Sequence, residues 1–324
     1  MKGQQTKGMA NEWSPGRFFR KYGIFLVMII LFIVASTLNK SFLKPQNLLN
    51  ILKQITPFTI IAAAETILII CGCIDLSAGQ VAAMSACFAA GALANTGSVL
   101  ICFLVGMGSA AVAGLCIGFL STTFRLPAFI ASLAIMNVAE GVTTIYTDGR
   151  SIMGVEKLRW LSQGKLFGIP YMILLLVLVL VVIQLILKRT KFGLYMYAIG
   201  GNKKASIASG IKVNRNIVFT YLVSGCLVGL AGIALVARMM AGQPGVGPGY
   251  EFDGITATIV GGTSFTGGSG SMFSVIAGAV IIGIINNIMI LMGVDSNWQM
   301  VVKGVLIALA VILDLQTKRT AKAQ

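Results

Sequence analysis

The amino-acid sequence predicts an all-α polytopic membrane protein with about ten transmembrane segments, one of them a short half-helix. Of its 324 residues, 56% are hydrophobic and 11% are charged, and the mean hydropathy is +0.89. About a quarter of the residues of a soluble domain are charged, so this chain has too little polar surface to face water on all sides. The roughly ten-residue alternating segments of a transmembrane β-barrel are absent.

The spans are predicted from long apolar stretches, because a helix needs about 20 apolar residues to cross about 30 Å of hydrocarbon. These stretches lie at residues 22–38, 55–73, 77–94, 99–120, 127–146, 170–187, 217–237, 272–292 and 298–313. A further segment, 253–262, is too short to cross alone. We expect it to be a half-helix that completes a crossing together with the loop after it, which places both termini on one side of the membrane.

Basic residues predict the orientation. If the N-terminus is cytoplasmic, about twice as many lysines and arginines fall on the cytoplasmic side as on the opposite side, which is the usual bias of membrane proteins. The densest group has no acidic residue within it and lies in a predicted cytoplasmic loop, 188–216; its members are Lys188, Arg189, Lys191, Lys203, Lys204, Lys212 and Arg215. The net charge of +15 is then explained by topology and by contact with anionic lipid, without nucleic-acid binding.

These patterns divide the chain into a basic cytoplasmic segment, 1–21, a single transmembrane domain, 22–314, and a basic cytoplasmic tail, 315–324. A cleaved signal peptide ending near Ala35 is the alternative for the first span. We favour an uncleaved span, because no soluble stretch follows the apolar run.

The segment 72–80 interrupts two apolar runs with a carboxylate, Asp75. Ser77 and Gln80 fit the Ser-x-x-Gln capping box, in which each side chain satisfies a backbone N–H at the start of a helix. Such a box explains Ser77 but not Asp75, because a carboxylate at membrane depth is unfavourable unless it is paired or faces water. Asp75 is therefore either packed against a partner or part of a translocation path or interface.

Two glycine-rich stretches, 243–253 and 261–270, flank the short segment. Irregular backbone of this kind cannot face lipid, so it lies in an aqueous loop or lines an enclosed cavity. No lysine follows these glycines as a Walker loop requires, and no strand precedes them as a dinucleotide site requires. With no histidine and no Cys-x-x-Cys, the six cysteines are expected to be small apolar fillers and no zinc or haem site is expected.

Several further polar residues fall inside predicted spans: Glu65, Asn137, Glu140, Asn286, Asn287, Gln299 and Lys303. Asn286 and Asn287 are as well explained by hydrogen bonds between helices as by a role in a path. Glu65 and Glu140 are candidates for a proton relay, although neither has an obvious partner in the sequence. With Asp75 and Asp253 they would form the ion sites of the main alternative, an ion-coupled secondary transporter.

Short stretches carry a resemblance to a known family: 74–79 (IDLSAG), 129–133 (FIASL), 200–202 (GGN), 209–211 (SGI), 249–251 (GYE), 261–264 (GGTS) and 267–268 (GG). Through them, and through residues 286–287, 299–300 and 302–303, the chain resembles the membrane permease subunit of ribose-type ABC sugar importers. The resemblance covers residues from about 47 to 314. It implies a multi-pass protein of the cytoplasmic (inner) membrane of a bacterium, and a transport subunit rather than an enzyme.

The resemblance also implies partners: a second permease copy, an ATPase subunit with duplicated nucleotide domains that holds ATP and Mg²⁺, and an extracytoplasmic sugar-binding protein. The chain itself would bind no cofactor and would move a ribose-like monosaccharide by alternating access. A coupling helix at 202–210 would contact the ATPase through Gly200, Gly201, Asn202, Lys203, Lys204, Ala205, Ser209, Gly210 and Ile211. The path or its gate is expected to use Asp75, Ser77, Asp253, Thr263, Ser264, Asn286, Asn287 and Gln299.

The chain departs from the family pattern at several positions. Lys203 and Lys204 stand where relatives commonly have glutamate and alanine, and Glu140 stands where they often have arginine. Cys73 replaces a usual glycine, and residues 269–271 lack a common lysine. The charge reversal at Lys203 implies an ATPase with a matching acidic rim, or a docking contact that differs from that of the relatives.

Overall fold

The computed structural model describes residues 15–322, and the side chains of residues 23–309, 311 and 312. This part of the chain forms thirteen α-helices: α1 Pro15–Leu38, α2 Pro45–Ile70, α3 Ala78–Thr96, α4 Val99–Thr123, α5 Ala128–Thr147, α6 Arg159–Gln163, α7 Tyr171–Arg189, α8 Lys191–Gly201, α9 Lys203–Ala208, α10 Val213–Met239, α11 Tyr250–Val260, α12 Met272–Leu291 and α13 Ser296–Lys322. Short 3₁₀ turns lie at Glu156–Leu158 and Pro244–Val246. Two strands, β1 Lys165–Leu166 and β2 Ile169–Pro170, form a small antiparallel hairpin.

Six of these helices, α2, α4, α5, α7, α10 and α12, are long and apolar enough to cross a membrane, and α1 has a shorter apolar stretch, Gly23–Leu38. The predicted all-α, multi-span architecture is thus confirmed, although helix bounds differ. Helix α2 begins at Pro45 rather than at residue 55, because proline is favoured at the first position of a helix and the polar first turns escape a hydropathy criterion. Helix α13 runs to Lys322, so its helical part includes most of the predicted tail 315–324.

The centre of the bundle is α10, which packs along α4, α3 and α2. Glycines bring α10 close to α4: a Cβ atom added to Gly225 would lie 2.5 Å from the carbonyl oxygen of Ala110, and one added to Gly114 would overlap that of Tyr221. Small residues at a helix interface let the backbones of membrane helices approach and gain van der Waals contact. Glycine therefore sets the spacing of this helix pair.

The two ends of the bundle are distinguished by their contacts. At one end, which we call the α9 end, Gly268 donates its N–H to the carbonyl oxygen of Ile70, the last residue of α2, at 3.0 Å. At the other, the hairpin end, Lys157 Nζ donates to the carbonyl oxygen of Gly97 at 2.6 Å, and a backbone bridge joins Ile152 to Gly242. Helices α2, α4, α5, α7, α10 and α12 each run from one end to the other.

Candidate functional site

Helix α9 is a short exposed helix of six residues at one end of the bundle. It begins after Asn202, whose side-chain Oδ1 accepts the N–H of Ala205 at 3.0 Å, which is a standard N-cap. It is stopped by Gly210, which has a φ of +79° that glycine tolerates best. A helix thus lies at 203–208, within the segment 202–210 where a coupling helix was predicted.

The basic segment 188–216 was predicted as a loop with one short helix, but most of it is helical. Helix α8 follows α7 after a single residue, Thr190, whose hydroxyl accepts the N–H of Gly193 at 3.1 Å. Lys203, Lys204 and Lys212 are exposed around α9. Beside them, α8 and α10 enclose an open cavity of about 450 Å³ lined by Phe192, Tyr195, Gly210, Ile211, Lys212, Arg215, Asn216 and Phe219.

The segment just before α9 packs against two other parts of the bundle. A Cβ atom on Gly200 would overlap the carbonyl oxygen of Ile70 and would lie 2.7 Å from the backbone N of Gly268, so only glycine fits. Tyr197 donates its hydroxyl to the carbonyl oxygen of Gly270 at 2.8 Å. The segment 197–202 is therefore packed against both the end of α2 and the loop that joins α11 to α12.

The Asp75 segment is held by its own side chains rather than by a capping box. The capping prediction for Ser77 and Gln80 is wrong: Ser77 makes no cap to α3, and its hydroxyl and its N–H both donate to Asp75 Oδ1. This is the pattern of an Asx-turn, in which an aspartate accepts the N–H two residues on, and it occupies the Ser77 hydroxyl that a capping box would need. Tyr221 of α10 donates its hydroxyl to the carbonyl oxygen of Ile74 at 2.9 Å.

Other elements also reach this segment. Ser132 of α5 accepts the N–H of Leu76 at 3.1 Å, and Glu65 Oε2 of α2 accepts the N–H of Asp75 at 3.4 Å. Glu65 therefore has a partner that the sequence did not reveal. Four helices, α2, α3, α5 and α10, meet at this one point.

Three buried carboxylates lie close to one another here: Glu65, Asp75 and Glu251 are 0%, 5% and 6% exposed. Glu65 Oε1 and Glu251 Oε2 have no hydrogen-bond partner among the described residues. A Cβ atom on Gly79, in the first turn of α3, would meet the Glu251 carboxylate and lie 2.5 Å from the carbonyl oxygen of Gly247. The described residues contain no group of three or more His, Cys, Asp or Glu side chains arranged to hold a metal ion.

Helix α11 is the predicted short segment, three residues longer at its start than expected. Asp253 in its first turn pairs with Lys303 Nζ of α13 at 2.9 Å, with the two side chains 9% and 25% exposed. Thr258 fixes the helix to α2 by donating to the carbonyl oxygen of Ala62 at 2.9 Å. Sequence reasoning noted both Asp253 and Lys303 as charges at membrane depth but did not pair them.

The remaining predicted path residues do not gather in one place. Thr263, after α11, is fully buried and its hydroxyl has no partner among the described residues, and Ser264 bonds Thr266 at 3.1 Å. Asn287 exchanges hydrogen bonds of 3.0 Å with Asn47 of α2, whereas Gln299 donates to the carbonyl oxygen of Val294, two residues before α13 begins. The predicted residues are thus spread along the bundle from the α9 end to the hairpin end.

Comparison with known proteins identifies the family. Residues 47–311 match the model of the branched-chain amino acid transport system / permease component family. The ribose import permease protein of Bacillus subtilis (strain 168) is 42% identical over 298 residues, which is 91% of this chain and 92% of that protein. The ribose import permease protein of Escherichia coli (strain K12) is 36% identical over 311 residues, 93% of this chain and 97% of the relative.

The D-allose transport system permease protein of Escherichia coli (strain K12) is 33% identical over 316 residues, 96% of this chain and 97% of the relative. No solved structure matches the chain. The relatives are transport subunits rather than enzymes, and permease components of ABC importers imply an ATPase and a substrate-binding protein as partners. The chain is a multi-pass protein of the inner membrane, and it belongs to the ribose-type family of ABC-importer permease components.

Proposed function

We propose that this chain is the membrane-spanning subunit of a binding-protein-dependent importer that moves a ribose-like monosaccharide by alternating access. Two copies would enclose the path, and a separate ATPase with two nucleotide domains would drive it while holding ATP and Mg²⁺. The solute class is supported by relatives named for ribose and D-allose. No covalent chemistry is assigned to this chain.

The observation that carries the proposal is the way in which α9 is attached to the rest of the bundle. An exposed, basic helix at one end of the bundle is attached to a segment that packs against Ile70 of α2 and against the Gly268 loop. Rigid-body movements of packed elements are a common way of transmitting a change from one site to another. A displacement of α9 by the ATPase would thus reach both α2 and the short helix α11.

The ATPase contact would use Gly200, Gly201, Asn202, Lys203, Lys204, Ala205, Ser209, Gly210 and Ile211. The 450 Å³ cavity beside α9 offers a recess for a side chain of the partner. The exposed charged side chains of this set are the lysines Lys203 and Lys204, so a complementary surface on the ATPase is acidic. Pairs of opposite charge across an interface contribute to association rate and specificity.

The orientation with both termini in the cytoplasm is supported by the two ends of the bundle. Counting back from the α9 end, α2 arrives there, so α1 begins there, and α13 returns to it after α12 ends near Asn39 at the hairpin end. Helix α11, together with the loop that leads into it from Gly242 at the hairpin end, would supply the tenth crossing. The loop after α11, which was expected to complete this crossing, lies instead at the α9 end, where Gly268 bonds Ile70. The division into 1–21, 22–314 and 315–324 follows this topology.

For the path we retain Asp75, Ser77, Asp253, Thr263, Ser264, Asn286, Asn287 and Gln299 as candidate lining or gating residues. Their support is strongest where helices start inside the bundle, at α3 and α11, because broken helices place polar backbone where a cavity passes. An ion-coupled secondary transporter is the second candidate, and the buried group Glu65, Asp75 and Glu251 favours it.

Replacement of residues 202–210 by a Gly/Ser linker tests the coupling role. The chain is reconstituted in proteoliposomes with the ATPase and the sugar-binding protein, and ATP-driven uptake is measured. We expect the linker variant to insert normally but to lose uptake. A matched control alters an equally exposed loop at the same end of the bundle, residues 124–126 between α4 and α5, and retains uptake. Normal uptake by the linker variant would refute the coupling role.

A further inference from the structure

Helix α5 carries a polar face that the rest of its protomer does not cover. Asn137 and Glu140 are exposed. In the six long apolar helices described above, these two are the charged or amide side chains that are exposed and lie more than six residues from either helix end. Thr144 continues the same face, since residues separated by three, four or seven positions share one side of a helix.

This polar face lies far from both ends of the helix. At 1.5 Å per residue, Glu140 is about 18 Å from the first residue of α5 and about 10 Å from the last. A charged side chain at this depth does not face hydrocarbon; such residues face the interior of a bundle or a water-filled cavity. The exposure of Glu140 in the single chain therefore marks a surface that is wet or covered in the assembled protein.

The face lies beside and opposite the buried side of α5. The buried positions are Ala131, Ser132, Ala139, Thr143 and Thr147; at 100° per residue Asn137 lies opposite their centre, and Glu140 lies at their edge, about 90° from that centre. Asn137 donates to the carbonyl oxygen of Leu133 at 2.9 Å, and Thr144 donates to that of Glu140 at 2.9 Å. The Thr144 hydroxyl and one of the two N–H groups of the Asn137 amide are thus engaged by the helix itself, so the Glu140 carboxylate makes the face mainly an acceptor.

We propose that this face of α5 lines a water-filled path between two copies of the chain, where Glu140 of each copy accepts hydrogen bonds from the hydroxyls of a neutral, polyhydroxylated solute. The inference rests on the proposed function, from which it takes the second copy and the path. In a two-fold assembly the same patch of both subunits meets at the same depth. Two carboxylates in direct contact repel each other, so water and a hydrogen-bond donor fit between them better than tight packing does.

Glu140 then disfavours anionic solutes and favours hydroxylated ones. Hydrogen bonds to a charged acceptor are about twice as strong as those between neutral groups. A path with few such groups binds the solute weakly enough to release it. Selection by the carboxylate thus adds to the selection made by the binding protein.

The first test measures water access at position 140. Glu140→Cys and the control Val138→Cys are each reconstituted with the ATPase and the binding protein and treated with a membrane-impermeant thiol reagent. Val138 is 57% exposed but lies about 160° away around the helix. Mass spectrometry reads each position separately from the native cysteines. We expect position 140 to react about tenfold faster than position 138, as a wet face requires; equally slow reaction at both would overturn the proposal.

The second test measures transport, with ribose as the probe. Glu140→Leu should lower the maximal uptake rate about tenfold, the equivalent of one charge-assisted hydrogen bond. The half-saturating ribose concentration, which the binding protein determines, should stay unchanged, and ATP hydrolysis should continue. Glu140→Gln keeps an acceptor and should lose about threefold or less, and Val138→Leu should lose nothing.

The outcomes separate this inference from the proposed function. If the wild-type complex shows no ATP-driven uptake, the proposed function fails. If the wild-type complex transports ribose and Glu140→Leu does so at the same rate, the inference about α5 fails alone. A loss of uptake that Glu140→Gln does not rescue, with position 140 unreactive to the thiol reagent, assigns Glu140 a structural role and also overturns it.

Discussion

The ion pair between Asp253 of α11 and Lys303 of α13 is expected to hold the short helix in place. The Nζ–Oδ2 distance is 2.9 Å, and the side chains are 9% and 25% exposed for Asp253 and Lys303. At an effective dielectric constant of 20, two unit charges at this distance attract by about 6 kcal/mol. Removal of both charges from water offsets much of this gain, so we expect a net coupling of about 2 kcal/mol.

Lys303→Met leaves the Asp253 carboxylate without its partner and should destabilise the protein by about 3 kcal/mol, since breaking a buried pair is worse than replacing it. The double variant Asp253→Asn with Lys303→Met should recover most of that loss. Thermal unfolding of the detergent-purified protein provides the four midpoints of a double-mutant cycle. A coupling below about 0.5 kcal/mol would refute the reasoning, because the pair would then contribute no more than an exposed one.

Three further predictions concern α9 and the α4–α10 contact. Asn202→Ala removes the cap of α9 and should cost about 1 kcal/mol of local stability, measured as faster amide hydrogen exchange at Ala205; unchanged exchange would contradict the cap. Gly225→Leu should lower the unfolding midpoint strongly, since even a Cβ atom would lie 2.5 Å from a backbone oxygen of α4, and an unaltered midpoint would count against that packing. Lys203→Glu with Lys204→Ala should change the affinity for the ATPase in a salt-dependent way; equal binding at low and high salt would exclude an electrostatic contact.

Composition and hydropathy predicted the class of fold and the positions of most helices, because a span must be apolar over its whole length. The same criterion misplaced the start of α2 and the end of α13, because at both points polar residues continue the helix beyond its apolar stretch. The re-entry of the Asp75 segment was not predictable from pattern. Ser77 and Gln80 matched a capping box, yet the contact that formed was between Ser77 and Asp75.

The contacts around the candidate site depend on helices far apart in the chain. Sequence showed that Asp253 and Lys303 were charges at membrane depth, and opposite charges there are expected to pair, but 50 positions separate them. Tyr221 gave no signal, because its apolar surroundings resemble any span, and only packing brings it to Ile74. Glu140 was visible from the sequence as an intramembrane carboxylate, whereas its exposure could be known only after α5 had been placed against α3 and α4.

The source of energy for transport tests the central claim most directly. Uptake of labelled ribose is measured in proteoliposomes that contain the chain, its ATPase and its binding protein, with ionophores added to remove proton and sodium gradients. We predict uptake that requires ATP and both partners and that continues when the gradients are abolished. Uptake by the chain alone, driven by an ion gradient and lost with Glu65→Gln, would contradict the account and identify a secondary transporter.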